Sequence, residues 1–435
     1  MIEVAGNNLA AIVCCGELVR HGIPVRHISN ENLRMGGHFA GILYQDKRID
    51  LGMVLLEPRF DLVETDIVEY KGQFGQEVNQ FNQAVFRWLT SRDVSLNPIA
   101  VFSHFKNKLT GDAIIADDLA FLDLLQVAEK QAIINEISTR IHESKHHPRD
   151  KARSSYFREN CLRDVYYEIY GQLFSNYFLN NLELLAGVKG PEAAAHSHRL
   201  LWAPLYYPET VLNYLKTGDS GIPVLDFFVP DNNSVSQLIE NLIHEMNQSS
   251  DYNPQPISNE QYSSLVADRI QRNSADTLVF TDERELSVEI LDIPGTLVAF
   301  VLAQIDSNLE LVVHNLDISS SWYRATVRGQ DLGVSVIEVG KIQENESDAL
   351  ILARANECSS SIGIGRLNDP VVLKAKIYSH TPQISALLRN RYAKIKKYLN
   401  GNASFFINNE TTGSFNNQVC LGLSTSQVII RETIK

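Results

Sequence analysis

Several signals are missing from this chain, and each absence narrows its class. No apolar run reaches the roughly 18 residues that a bilayer-spanning helix needs. No basic segment followed by an apolar stretch precedes the first strand, so neither a membrane span nor a signal peptide is expected. Cysteine is scarce. Cys14, Cys15, Cys161, Cys358 and Cys420 make an odd five with no Cys-x-x-Cys spacing, and Cys14 and Cys15, adjacent in one helix, cannot easily pair. Free thiols in a reducing compartment are the expectation, and with them a cytoplasmic protein. Positive charge is in deficit, with 39 Lys and Arg against 52 Asp and Glu and a net charge of −13. The basic face of a nucleic-acid binder is therefore not expected. P-loop, Ser-His-Asp and metal-ligand spacings are absent, so no metal is expected. His142, His146 and His147 sit in a polar, basic stretch without a carboxylate or Cys at ligand spacing, which reads as a solvated loop. There is no internal repeat and no low-complexity segment.

What is present is an ordinary globular composition, 44% apolar and 21% charged over 435 residues, long enough for two or three lobes. The first 52 residues carry the strongest local pattern. Ile2-Glu3-Val4-Ala5 reads as a strand and Gly6-Asn7-Asn8 as a tight turn. Residues 9–21 read as an apolar helix stopped by Gly22 and Pro24, and residues 25–28 as a second strand. Arg34-x-Gly36-Gly37-His38 and Asp50-x-Gly52 follow. A strand–turn–helix–strand opening of this kind presents backbone N–H groups and the helix dipole to an anion such as a pyrophosphate.

This opening resembles the flavoprotein superfamily of amine oxidases, protoporphyrinogen oxidases, phytoene desaturases, UDP-galactopyranose mutases and Rab GDP-dissociation inhibitors. Their pattern is Gly-x-Gly-x-x-Gly, an acidic residue ending the second strand, Arg-x-Gly-Gly and Asp-x-Gly. The chain keeps the last two and departs in the first two. Asn8 and Ala11 stand for the second and third glycines, and Asn30 for the ribose-binding acid, with Glu31 one place later. Asn8 is expected to need a strained backbone where glycine had none. The C-terminal end has the matching strand, turn and helix, with Asn408-Asn409 where the superfamily has Gly-Asp. Carried over position by position, the FAD contacts fall on Gly6, Asn8, Leu9, Ala10, Asn30, Glu31, Arg34, Gly36, Gly37, His38, Asn409, Asn417, Gln418 and Val419.

The resemblance implies an α/β fold: a Rossmann-like FAD-binding domain with a parallel sheet and crossover β-structure, plus a substrate domain of antiparallel sheet and helices. Residues 1–75, 221–282 and 379–435 would form the first. Residues 76–220 would be the helical part of the second, and residues 283–378 its sheet. Residues 117–141 have apolar positions at helical spacing. Residues 235–246 read as an amphipathic helix, opened by Asp231-Asn232-Asn233 in place of a glycine turn. Asn and Asp tolerate left-handed angles, so that exchange is structurally cheap. Four substrate-facing positions are singled out. Trp202 and Tyr206 lie in an aromatic, proline-marked stretch, where packing and ligand roles weigh evenly. Tyr323 and Arg324 open a strand, where Arg324 either anchors a substrate anion or makes a cross-strand salt bridge.

The function implied is FAD-dependent oxidation of a small organic substrate, an amine or a biosynthetic intermediate, by hydride transfer to flavin N5. No residue is assigned as a catalytic base, since His38 is either a base at the flavin edge or simply packed. One alternative is a flavin-free binding or scaffold protein on the same fold, to which the altered cofactor contacts point. Another is a mutase-like non-redox flavoenzyme, for which Arg199 and Arg324 would have to bind a diphosphate. The expected partner is a small-molecule substrate, with a homo-oligomer or a protein partner left open.

Overall fold

Apolar segments from both ends of the chain meet in one parallel sheet. The computed structural model describes residues 1–52, 54–56, 80–143, 153–186, 190–198, 201–272, 277–282, 295–317, 319–378, 381–384, 386, 405–408 and 415–433. The strands are β1 (Ile2–Ala5), β2 (Val25–Asn30), β3 (Ile42–Tyr44), β4 (Lys47–Ile49), β5 (Leu96–Phe105), β6 (Lys108–Gly111), β7 (Phe227–Pro230), β8 (Tyr252–Ile257), β9 (Thr277–Asp282), β10 (Gly295–Gln304), β11 (Glu310–Asn315), β12 (Arg324–Arg328), β13 (Val334–Val339), β14 (Asn368–Tyr378) and β15 (Phe405–Asn408). The helices are α1 (Leu9–Arg20), α2 (Gln80–Thr90), α3 (Val127–Glu143), α4 (Arg153–Glu159), α5 (Leu162–Tyr170), α6 (Gln172–Ala186), α7 (Pro208–Thr217), α8 (Val235–Asn247), α9 (Asn259–Arg272), α10 (Asp348–Ile362) and α11 (Phe415–Thr433).

The parallel sheet runs β15-β9-β1-β2-β8. Its middle strand is the first in sequence, and α1 crosses from it to β2. Residues Leu9 to Leu18 of α1 are all buried, as a helix apolar on every side requires. One flank packs on α11 and another on α8 in a shared core that includes Ile12, Val13, Leu242 and Val419. Burial pushes the thiols of Cys14 and Cys15 far up, so both stay protonated and inert. At the sheet edge, β8 carries Pro254 and Pro256, which an edge strand tolerates because prolines give no ladder donor there.

The larger sheet has the path β14-β10-β13-β12-β11-β5-β6, with β7 joined to β5. Its pairs are antiparallel except β11 with β5. One face, with Ala299, Val301, Val313, Ala325 and Ile337, is apolar and covered by α10. The other face meets the helical lobe of α3 to α7 through Val312 and Leu316. Two expectations change here. Residues 76–220, expected to be mostly helical, also supply β5 and β6, which complete the large sheet. Residues 117–141 are not one helix. A loop and a short 3-10 turn (Ala120–Leu124) precede α3. Asp117 takes a left-handed φ of 60°, and Asp118 Oδ1 accepts from Ala120 N at 2.9 Å, so the start of the stretch turns instead of winding into a helix. Most of the polar stretch that carries His142, His146 and His147 lies outside the described residues, as do residues 387–399, which are rich in Lys and Arg.

Candidate functional site

The site is built from the α1 N-terminus outward. Gly6 leaves β1 with φ 147°, and a Cβ placed there would sit 1.9 Å from the Phe280 carbonyl oxygen of β9. Only glycine permits that approach. Asn7 then ties the turn to the end of β2. Its Nδ2 donates to the carbonyls of Asn30 and Leu33 (3.0 Å each), and its Oδ1 accepts from Asn30 N (2.8 Å). The backbone N–H of Gly36 donates to the Asn7 carbonyl at 2.7 Å. The Arg34-x-Gly36-Gly37 loop is thereby fixed beside the start of α1.

Asn8 is the N-cap of α1, with φ −74° and ψ 168°. The expected backbone strain is absent, because this is ordinary extended geometry that any residue adopts. The side chain does the work instead. Asn8 Oδ1 accepts from Ala11 N at 3.0 Å, and Gln418 Oε1 of α11 accepts from Leu9 N, also at 3.0 Å. Two of the helix's free N–H donors are thus held by the chain itself, one of them from 409 residues away. Gln418 is buried, and its Nε2 has no hydrogen-bond partner among the described residues. A spare donor therefore lies where α1 and α11 begin. Ala10 and Val419 are buried beside it and Asn417 is half-buried. Asn409 lies outside the described residues.

At the end of β2 the two candidate ribose ligands separate. Asn30 is buried, its Nδ2 donates to Asn259 Oδ1 (2.8 Å), and its Oδ1 accepts from Asn32 N (3.0 Å). Glu31 is exposed. Arg34 Nη1 donates to the Gly41 carbonyl at 3.0 Å and so closes the loop on itself. Gly36 and Gly37 have φ 92° and 59°. Gly37 is exposed, and the nearest atom to a Cβ built on it is Asn8 Cα at 3.8 Å, which leaves its face open. His38 is exposed with its ring 3.9 Å from that of Phe39, and Phe39 meets Phe415 of α11 edge-on at 5.7 Å. The loop and both helix starts thus converge.

Asp50 and Gly52 link this region to the large sheet. Asp50 caps α8, its two oxygens accepting from Val235 N and Ser236 N at 2.9 and 2.8 Å. Burial pushes its carboxyl up, and those two bonds oppose the push. Asn232 takes φ 51° at the turn before α8, the left-handed angle glycine would supply. A Cβ on Gly52 would lie 3.5 Å from Arg324 Nη2.

The four substrate-side positions do not share one setting. Trp202 is half-buried against the helical core with φ 53°. Tyr206 is fully buried and its hydroxyl donates to the Ala113 carbonyl at 2.6 Å. Tyr323 is buried and its hydroxyl is unpartnered among the described residues. Arg324 makes the cross-strand salt bridge. Its Nε and Nη2 donate to the two Glu338 oxygens at 2.8 and 3.0 Å, both side chains being buried. Sequence reasoning missed Ser103, Asp112 and His314, which meet beside Arg324. His314 Nδ1 lies 2.8 Å from Asp112 Oδ1, which also accepts from Ser103 Oγ at 3.0 Å. Spacing could not reveal this cluster, because 202 residues separate Asp112 from His314.

No family model matches the chain, and no curated protein matches it in sequence. Solved structures do match it over its whole length. Reduced UDP-galactopyranose mutase matches with a TM-score of 0.64 at 9% identity, covering 100% of this chain and 94% of that one. Putrescine oxidase bound to putrescine gives 0.53 at 11% identity, covering 99% and 98%. Cyclohexylamine oxidase from Brevibacterium oxydans gives 0.54 at 8% identity, covering 100% and 99%. From its parallel sheet to its large mixed sheet, the chain therefore has the fold of UDP-galactopyranose mutase and the amine oxidases, the one to which its opening motifs pointed.

Proposed function

We propose that this chain is an FAD-dependent oxidoreductase acting on a small organic substrate, an amine or a biosynthetic intermediate. The observation that carries the reading is the convergence of three features on one place: the α1 N-terminus, the open face of Gly37, and the unpartnered, buried Nε2 of Gln418. An orphaned donor beside a helix N-terminus fits an anionic group such as a pyrophosphate. The whole-chain likeness to two amine oxidases supports the same reading.

FAD bound there would supply two-electron acceptance at its ring. The chain's own part is to hold it. Gln418 Nε2 and the start of α1 would face the pyrophosphate. Glu31, exposed at the end of β2, would take the ribose hydroxyls in place of Asn30, whose amide is committed to Asn259 and Asn32. Gly36 and Gly37 would let the backbone approach the cofactor. His38 lies on the open side of that loop, suited either to a proton-transfer role or to packing.

One observation favours a second reading, a flavin-free binding protein on this fold. Asn8 Oδ1 already caps Ala11 N, so a donor that a pyrophosphate would use is taken. The mutase-like reading asks Arg199 and Arg324 to bind a diphosphate; Arg324 gives its Nε and Nη2 to Glu338, and Arg199 lies outside the described residues. Titrating flavin-stripped protein with FAD, followed by quenching of flavin fluorescence, separates the first two. We expect saturable binding that Gln418→Leu weakens at least tenfold. Absence of binding in a folded protein supports the flavin-free reading and rejects ours.

A further inference from the structure

Helix α8, the β3–β4 hairpin and the edge strand β14 enclose a cavity that lies apart from the start of α1. Its volume is about 1010 Å³, at the upper end of ordinary small-molecule pockets. Ser236, Ile239, Glu240 and Ile243 line it from α8. Their spacing makes one stripe, about 10 Å long, down that helix. Val371 and Leu373 line it from β14, two residues apart and so on one face of the strand. Ile42 and Leu43 of β3 form a further side, and Arg34 and Met35 bring the glycine loop to it. Neither Gly37 nor Gln418 nor the first turn of α1 is among the residues that line it.

The wall is apolar where it meets water. Leu43 is 62% and Val371 40% exposed, and Ile243 and Leu373 are half-buried. Apolar side chains gathered round one hollow and rimmed by charges mark a binding surface, whereas singly scattered ones do not. An aliphatic body lying along α8 and β14 would take these four out of water, with a gain that grows with each methylene covered.

The charges give that body a direction. Arg34, Arg48, Glu240 and Asp369 line the cavity. Arg48 and Glu240 neutralise each other, with Arg48 Nε and Nη2 donating to the two Glu240 oxygens at 2.9 and 3.1 Å. Arg34 Nη1 donates to the carbonyl of Gly41, the residue before β3, and Arg34 has no carboxylate partner among the described residues. Asp369 sits at the other end of β3, where the Tyr44 hydroxyl donates to its carbonyl at 2.9 Å. Gly41 and Tyr44 are about 10 Å apart along an extended strand. An uncompensated cation thus stands at one end of the cavity and a carboxylate at the other. An anionic head is drawn to the Arg34 end and repelled from the Asp369 end, and a planar guanidinium matches a carboxylate in shape as well as charge.

We propose that this cavity binds an unbranched aliphatic carboxylate, its head on Arg34 and its tail against Leu43, Ile243, Val371 and Leu373. The site does not depend on the flavin reading, because no residue assigned to the pyrophosphate or the ribose lines it. The competing state is a cleft filled by water alone.

The test is titration calorimetry of the purified full chain with decanoate. Acetate serves as the head alone and decyltrimethylammonium as the tail with the opposite charge, each kept below its micelle concentration. We expect one decanoate per chain, bound at least tenfold tighter than either control. Octanoate should bind about fourfold more weakly than decanoate, as two fewer methylenes are half covered. Leu43→Glu and Arg34→Gln should each weaken decanoate tenfold or more. Leu43 is exposed, so its variant keeps the fold. Arg34 also ties the glycine loop, and if Arg34→Gln does not fold, the Leu43 variant and the head-group comparison decide. Equal binding of decanoate and decyltrimethylammonium, binding of neither, or undiminished binding to Leu43→Glu overturns the site.

Discussion

Replacing Asn8 with glycine should make the protein slightly less stable and a better FAD binder. Asn8 Oδ1 holds Ala11 N at 3.0 Å across the mouth of α1. An N-cap exchange of Asn for Gly costs only about a few tenths of a kcal/mol, glycine's backbone entropy included. The native angles, φ −74° and ψ 168°, ask for no glycine, so nothing offsets that loss. In exchange the Ala11 N–H becomes available to a phosphate oxygen. Charge-assisted bonds contribute about 1.5–3 kcal/mol, against about 1 kcal/mol for the neutral cap they replace. A net gain of about 1.4 kcal/mol is a tenfold tighter complex. Melting of the flavin-free protein and fluorescence titration with FAD read the two effects separately. Asn8→Ala should gain less affinity, because it frees the donor but keeps a Cβ at the mouth. Should Asn8→Gly lose stability without gaining affinity, the helix start is not where the pyrophosphate sits.

Glu31→Gln should weaken FAD binding about five- to tenfold, as a charged acceptor becomes neutral. Asn30→Ala should instead lower stability by about 1–3 kcal/mol with little effect on FAD, since both Asn30 bonds are internal. Glu338→Ala strands the Arg324 charge in the sheet and should cost about 3–5 kcal/mol in denaturant melts. Replacing the pair together, as Arg324→Met with Glu338→Leu, should recover most of that. The last prediction concerns acid. His27 accepts from the Tyr252 hydroxyl at Nδ1 (2.6 Å) and donates from Nε2 to the Gly6 carbonyl (2.8 Å). Burial lowers its imidazole below the ordinary value, with the Gly6 bond opposing. The unfolded ring binds its proton first as pH falls. The stabilisation is therefore whole above about pH 6.5 and is lost as pH drops through the folded value. Melting near pH 8 and pH 5.5 should show a drop that His27→Gln reduces, and an undiminished drop in the variant would clear His27.

Much of the fold was legible because its two ends are strongly patterned. The run through Gly6 and α1 is apolar on every side, and the strand–turn–helix ending at α11 mirrors it. Asn8 shows the limit of reading by substitution. An Asn in place of Gly suggests strain, yet the backbone relaxed to extended angles and the carboxamide found the nearest free donor. Neighbouring Asn30 and Glu31 could not be ranked from sequence, because burial decides which of them faces out. The edge strand β8 was hidden by Pro254 and Pro256, which argue against a strand unless one side of the ladder is empty. The Asp112–His314 pair was out of reach altogether, since it exists only after β11 has docked on β5.

The visible spectrum of the purified protein tests the central claim most directly. The account predicts flavin bands at about 375 and 450 nm, set by the oxidised cofactor itself, and their anaerobic bleaching by a small amine or other organic substrate. A well-folded, colourless protein that also fails to take up added FAD would contradict it.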